Sequence, residues 1–96
     1  MSLPPLLESH RSRILEAAAR HGVGRLEVFG SAARGELRDE SDVDFLIEVT
    51  GPTTPWFPGG LVAELEEILG RRVDVAERRS LNPLLRDHIL REARPL

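Results

Sequence analysis

The eight residues from 42 to 49 alternate in polarity with the period of two that is typical of a β-strand. The odd positions are all apolar: Val43, Phe45, Ile47 and Val49. The even positions begin with Asp42 and Asp44, whose carboxylates no apolar core accepts unless they are paired. We therefore expect a strand whose odd face packs on the core and whose even face, which carries the two aspartates, is open.

A second segment, residues 72–76, repeats this arrangement and places Asp74 opposite two valines. If both strands belong to one sheet, the carboxylates of Asp42, Asp44 and Asp74 share its open face. Three such charges repel one another unless a cation lies among them. A hard cation such as Mg²⁺ binds oxygen ligands and usually combines one or two carboxylates with substrate phosphates. The pattern thus predicts a divalent metal site at these three aspartates.

Gly30 and Ser31 have the features of a turn that binds phosphate. Glycine lets the backbone approach an anion closely, and a helical turn over residues 31–34 would point free N–H groups at it. The Ser31 hydroxyl adds a donor, and Arg34 lies one turn later. We expect the phosphates of a nucleotide to bind at Gly30, Ser31 and Arg34.

Each of these features also has an ordinary structural explanation. A Gly-Ser pair is usually only a turn, and Asp-x-Asp at a strand start is often a turn or helix-cap device. The alternative ion-pair partners are Arg71 or Arg72 for Asp74, and Glu36 or Asp39 for Arg34. The functional interpretation rests on the combination, because order, spacing and strand face all agree.

The rest of the chain predicts a small sheet backed by helices. The predicted helices are Pro5–His21, Gly60–Leu69 and one that begins at Pro83 with Asn82 as its cap; the predicted strands are Arg25–Phe29, 42–49 and 72–76. With the short turn over residues 31–34, the order is α-β-α-β-α-β-α. This order indicates an α/β (α+β) fold with a mixed sheet of about three strands, and one domain over residues 1–96.

Composition narrows the class of protein. The net charge of −3 argues against direct, stable binding to nucleic acid. Without cysteine, any metal must be bound by oxygen or imidazole. No apolar run approaches the ~18 residues that span a bilayer, and the N-terminal Met-Ser-Leu-Pro-Pro is not an export signal. We therefore expect a cytoplasmic protein that does not bind membranes.

Gly30-Ser31, ten intervening residues and Asp42-x-Asp44 together resemble the Gly-Ser-x10-Asp-x-Asp pattern of the DNA polymerase β-like nucleotidyltransferase superfamily. The flanks, Phe-Gly-Ser-Ala-Ala-Arg-Gly-Glu and Ser-Asp-Val-Asp-Phe-Leu-Ile-Glu-Val, are similar to those of its small bacterial branch, the minimal nucleotidyltransferases. Gly-Arg-Arg-Val-Asp-Val, which contains Asp74, matches the place where that branch has its third carboxylate. The resemblance extends from about residue 10 to residue 94.

The resemblance implies a polymerase β-like core in which Asp42 and Asp44 bind two Mg²⁺ ions, with Mn²⁺ as a substitute. It further implies that Asp74 assists the nucleophile and that Gly30 and Ser31 hold the phosphates of ATP. The implied reaction passes AMP from ATP to an acceptor hydroxyl with loss of pyrophosphate. In this branch many members neutralise a helical HEPN-type toxin, a ribonuclease, by adenylylating one of its tyrosines.

Two further interpretations remain open. One is a non-catalytic module that binds nucleotide or toxin and neutralises its partner by contact alone. The other, a transferase that modifies antibiotics or nucleic acid, is disfavoured by the small size and acidity of the chain. Trp56 and Phe57 lie between prolines, where they either cap the core or are the first candidates for contact with a partner.

Overall fold

The first helical segment of the chain is divided in two at His10. The structure, a computed structural model that describes residues 3–96, has helix α1 at Pro5–Ser9 and helix α2 at Arg11–Arg20. The continuous helix predicted over Pro5–His21 is therefore wrong. His10 Nδ1 lies 2.9 Å from the Leu6 carbonyl oxygen. The backbone N–H of His10 donates instead to the Leu7 carbonyl, at 3.3 Å. The side chain thus takes the acceptor that a continuous helix would give to the backbone.

Four strands form one mixed sheet with the spatial order β3-β2-β1-β4. Their bounds are β1 Val23–Phe29, β2 Val43–Val49, β3 Val73–Glu77 and β4 Arg94–Pro95. Strand β1 is antiparallel to both β2 and β4, whereas β2 and β3 are parallel. The predicted fold class is confirmed, and the three predicted strands are present with ends that differ by one or two residues. The predicted element order is wrong between β1 and β2, because residues 31–34 form an isolated turn and not a helix. Strand β4 was not predicted, because two residues that include a proline carry no alternating pattern.

Two more helices complete the fold, α3 at Gly59–Leu69 and α4 at Pro83–Glu92. The predicted cap of α4 is present, since Asn82 Oδ1 accepts a hydrogen bond from the Leu84 N–H at 2.9 Å. In the part of the chain that the structure describes, every helix is too short or too polar to cross a membrane. Met1 and Ser2 lie outside the described residues. They are the first two residues of the N-terminal segment Met-Ser-Leu-Pro-Pro, which the sequence predicts not to be an export signal.

The core lies between one face of the sheet and helices α2 and α3. The odd positions of β2 belong to it as predicted, and Phe45 is fully buried. Ile14 of α2 and Leu61 and Leu65 of α3 are buried in the same cluster. Each such side chain contributes about 1.5–3 kcal/mol when it leaves water, so this cluster holds the strands that carry the site.

The opposite face of the sheet is only partly open, which differs from the prediction. Leu46 and its cross-strand neighbour Glu27 are buried there. A short 3-10 turn, Arg78–Ser80, follows β3 and contacts β2, and the Arg78 guanidinium donates to the Glu27 carboxylate. This ion pair compensates the buried charge of Glu27. Because the chain after β3 lies against this face, the exposed part is the end at which β2 and β3 begin.

Candidate active site

Asp44 and Asp74 occupy paired positions on the parallel strands β2 and β3. Paired residues of neighbouring strands lie about 4.8 Å apart and point to the same face of a sheet. Asp42 comes one residue before β2 begins. The charges of the three groups interact: burial, followed by the negative charges of Asp74 and Asp42, raises the pKa of Asp44 to about 6. The structure therefore brings the three predicted aspartates to one end of the sheet.

The three carboxylates are not arranged as a finished metal site. Among residues 3–96, no group of three or more His, Asp or Glu side chains has the geometry to hold a metal ion. Asp42 Oδ1 lies 3.8 Å from Arg72 Nε, so Arg72 pairs with Asp42 rather than with Asp74. The donor set nevertheless fits a divalent cation, because oxygen ligands suit Mg²⁺ and a cation would relieve the repulsion that, after burial, raises the pKa of Asp44. The metal assignment stays a prediction.

Gly30 brings the predicted phosphate turn against these carboxylates. Its φ is +70°, in the left-handed region that favours glycine. A Cβ at this position would collide with the carboxylate oxygen Oδ2 of Asp44 and would lie 3.3 Å from its Cγ. The preceding residue, Phe29, pairs with Asp44 across β1 and β2. A side chain at residue 30 would therefore be strained by this φ and would force the Asp44 carboxylate to move.

The turn after Gly30 presents backbone donors that the protein does not use. The Arg34 N–H donates to the Gly30 carbonyl at 3.2 Å, which closes one helical turn. Across the described part of the chain, the N–H groups of Ser31, Ala32 and Ala33 donate to no protein acceptor, and neither does the Ser31 hydroxyl. Unpaired N–H groups in a first helical turn are the usual ligands of phosphate. Ser31 thus has the surroundings that the prediction requires.

Gly30 and Arg34 both already have an anionic partner within the protein. The Gly30 N–H donates to Glu92 Oε1 at 2.6 Å, and Arg34 Nη1 donates to Glu92 Oε2 at 2.8 Å. Arg34 Nε also donates to Glu36 at 2.8 Å, which is the alternative pairing that the sequence suggested. Whether Gly30 and Arg34 contact phosphate stays a prediction.

Glu92 is a site residue that the sequence did not reveal. Burial pushes the pKa of Glu92 upward, but the hydrogen bonds from Arg34 and the Gly30 N–H outweigh it and leave the pKa below its ordinary value. The same carboxylate, after that of Glu36, raises the pKa of Arg34. A signal was available: Glu92 ends α4, and a negative charge at the C-terminus of a helix is unfavourable unless a partner compensates it.

A cavity of about 520 Å³ adjoins the turn and shares Arg34 and Glu92 with it. Its other lining residues are Ala33, His88, Arg91, Ala93 and Arg94. Three arginines and one glutamate are among the lining residues, so the cavity is basic, and its volume is within the range of small-molecule sites. Phosphate donors, aspartates and a basic cavity therefore lie next to one another, an arrangement suited to a nucleotide and a divalent cation.

Comparison with known proteins agrees with this chemistry. Residues 11–96 match the family model of the nucleotidyltransferase domain. A Methanocaldococcus jannaschii protein named as a candidate protein adenylyltransferase is 42% identical over 86% of this chain and 89% of its own. The protein adenylyltransferase MntA of Thermococcus cleftensis is 36% identical over 91% of this chain and 85% of its own.

Solved structures show the same fold. A candidate minimal nucleotidyltransferase is 46% identical, with a TM-score of 0.81 over 94% of this chain and 92% of that one. A toxin–antitoxin solved with AMP-PNP is 19% identical, with a TM-score of 0.74 over 88% of this chain and 69% of that one, and shares the fold. The resemblance seen in the sequence is thus confirmed, and the chain belongs to the nucleotidyltransferase domain family.

Proposed function

We propose that this chain transfers AMP from ATP to a protein hydroxyl, in a Mg²⁺-dependent reaction with loss of pyrophosphate. The acceptor is a tyrosine of a HEPN-type toxin, and the transfer makes the chain an antitoxin in the cytoplasm. The observation that carries the proposal is the close approach of Gly30 to Asp44, which joins a turn with unused N–H donors to the aspartate end of the sheet. Relatives named protein adenylyltransferases support the choice of reaction.

The roles of the residues follow from their surroundings. Ser31 and the unused N–H groups after it bind phosphate oxygens of ATP, and the Arg34 charge stabilises them. Asp42, Asp44 and Asp74 would hold Mg²⁺, which supplies neutralisation of phosphate charge and activation of the acceptor hydroxyl. Asp74 is exposed beside the half-buried Asp44, so it faces the side from which an acceptor enters and assists the nucleophile.

An open site favours a protein acceptor. Asp74 and Arg34 are exposed, so the chain alone does little to exclude water from the reacting atoms. A docked partner both excludes water and holds its hydroxyl in line with the α-phosphate. The relatives solved as toxin–antitoxin proteins, including the MntA-HpeT pair, support such a partner.

Exposed apolar side chains offer a surface for that partner, although Trp56 lies in the loop that follows the end of β2 remote from Asp44. Trp56 is 90% exposed, and its φ of +67° is strained for a residue with a side chain. Phe57 instead packs against the core, so of the two predicted contact residues only Trp56 presents its ring to solvent. Leu84 and Leu85 of α4 are 91% and 53% exposed, and Leu84 lies one turn from His88 at the cavity. We propose that Trp56 and these leucines contact the toxin.

Co-expression with a candidate HEPN-type toxin, followed by mass spectrometry of that toxin, tests the proposal. We expect the partner to gain AMP on one tyrosine with the wild type and to stay unmodified with Asp44→Ala. Asp39→Ala, which removes an exposed aspartate from the connection between β1 and β2, is the matched control and should modify the partner normally. A partner that binds tightly yet is never modified would establish the contact mechanism instead.

A further inference from the structure

We propose that Glu92 is a positioning residue for nucleotidyl transfer. From the end of α4, its carboxylate holds the phosphate turn and the Arg34 guanidinium in the orientation that ATP needs. This inference rests on the proposed function and adds to it a residue that lies outside the family pattern of glycine, serine and aspartates described above.

The two oxygens of Glu92 bind the two ends of one turn. Oε1 accepts from the Gly30 N–H at 2.6 Å, and Oε2 accepts from Arg34 Nη1 at 2.8 Å. Three residues lie between these donors along the chain, so the carboxylate spans the whole turn from outside. The Glu92 side chain is only 13% exposed, so its position is itself held by the surrounding protein. A turn fixed in this way loses less conformational entropy when phosphate binds.

Arg34 is held from two sides and still has donors to offer. A guanidinium carries five N–H groups in one plane. Glu36 accepts from Nε and Glu92 from Nη1, and in the described residues no acceptor takes a hydrogen bond from Nη2. Two carboxylates therefore fix the plane, while the Nη2 edge is left for a phosphate oxygen. An Arg34 without Glu92 would keep its charge but lose this fixed direction.

A competing role, in which Glu92 occupies the place of the phosphate and blocks it, fits the contacts less well. The N–H groups of Ser31 to Ala33 are unused although Glu92 is bound, so the carboxylate does not take the donors of the phosphate turn beyond Gly30. His88 Nε2, 3.5 Å from Oε2, adds a further contact from α4 itself.

The test measures binding of Mg²⁺-ATP, tripolyphosphate and AMP by calorimetry, together with kcat and KM for ATP with the toxin as acceptor. Glu92→Gln retains an oxygen for the Gly30 N–H but faces Arg34 with a group that no longer carries charge. We expect it to weaken binding of ATP and tripolyphosphate about tenfold, with AMP affinity nearly unchanged. Glu67→Gln, an exposed glutamate of α3, should behave as wild type. Thermal unfolding of each variant separates loss of binding from loss of fold.

A double-mutant cycle with Arg34 distinguishes positioning from general support of the structure. In an Arg34→Ala background, Glu92→Gln should change ATP affinity less than twofold, because the residue through which it acts is gone. If Glu92→Gln lowered ATP affinity equally in both backgrounds, the inference would be overturned while the proposed function stands. The same holds if Glu92→Gln left ATP affinity unchanged and only lowered the Tm. Tighter ATP binding by Glu92→Gln would also overturn it in favour of the blocking role. A wild type that binds no Mg²⁺-ATP would overturn the proposed function as well.

Discussion

Gly30 and Asp44 approach each other so closely that the Asp44 carboxylate fills the space in which a Cβ of residue 30 would lie. The contact joins two segments that are separated in sequence and assigned to different tasks, phosphate binding and metal binding. A glycine suits residue 30 for two reasons. Its φ is +70°, and it has no side chain in the space that the Asp44 carboxylate fills.

Gly30→Ala should therefore destabilise the protein more than the same change at Gly35. Both residues have left-handed φ values, +70° and +73°, so alanine is strained at both by about 1 kcal/mol. At Gly35 nothing lies within 4 Å of an added Cβ, whereas at Gly30 it meets Asp44. We expect Gly30→Ala to cost about 2–3 kcal/mol more in urea denaturation and to weaken ATP binding. Equal free energies of unfolding for the two variants would show that the Asp44 side chain moves away from the added methyl group without loss of stability.

Asp44 should make the stability of the metal-free protein depend on pH. Its folded pKa of about 6 is above the unfolded value near 3.8, so the folded state binds the proton more tightly. The stabilisation is present at low pH and is lost as the pH rises from about 4 to about 6. For this half-exposed group, solvent screening reduces the effect to about 1 kcal/mol. Relative to a variant without this carboxylate, the free energy of unfolding of the wild type in EDTA should thus fall across that range.

Asp44→Asn provides the comparison for this pH effect. The variant should be more stable than the wild type at pH 7.5 and nearly equal to it at pH 4. The lowered pKa of Glu92 makes the free energy of unfolding rise with pH. Because this happens in both proteins, it cancels from the difference between them. A difference between the two proteins that does not vary with pH would contradict the raised pKa of Asp44.

The ion pair between Arg78 and Glu27 should contribute more to the stability of the protein than any other ion pair on the sheet face opposite the core. The Glu27 side chain is 8% exposed, so Arg78→Ala leaves a buried charge without its partner and should cost about 3 kcal/mol in urea denaturation. Arg79→Ala is the matched control, because Arg79 is 72% exposed and lies 4.0 Å from Glu48, a surface pair that contributes under about 1 kcal/mol. A small effect of Arg78→Ala would mean that water or Arg25 compensates Glu27.

The elements that could be predicted are those whose cause is local. The alternation of β2 places Phe45 in the core, and the Gly30-to-Asp44 spacing indicates the site. What could not be predicted depends on contacts between distant residues. Glu92 reaches Gly30 across 62 positions, and β4 exists because its two residues pair with β1. The break at His10 is local, but it arises from a hydrogen bond of the imidazole that no hydrophobic periodicity reports.

Divalent metal should stabilise this protein through the three aspartates. Binding to the folded state alone raises stability with ligand concentration, by about 2.7 kcal/mol at one hundred times the Kd. We expect Mg²⁺ or Mn²⁺ to raise the Tm of the wild type and to leave the Tm of Asp42→Ala/Asp44→Ala unchanged, since its donors are gone. That double variant should be at least as stable as the wild type in EDTA, because it removes a partly buried carboxylate and the repulsion among the three clustered charges. Asp39→Ala/Asp87→Ala removes two carboxylates from elsewhere and should respond to metal as the wild type does. Equal metal affinity of the wild type and Asp42→Ala/Asp44→Ala in calorimetry would place the metal outside this site.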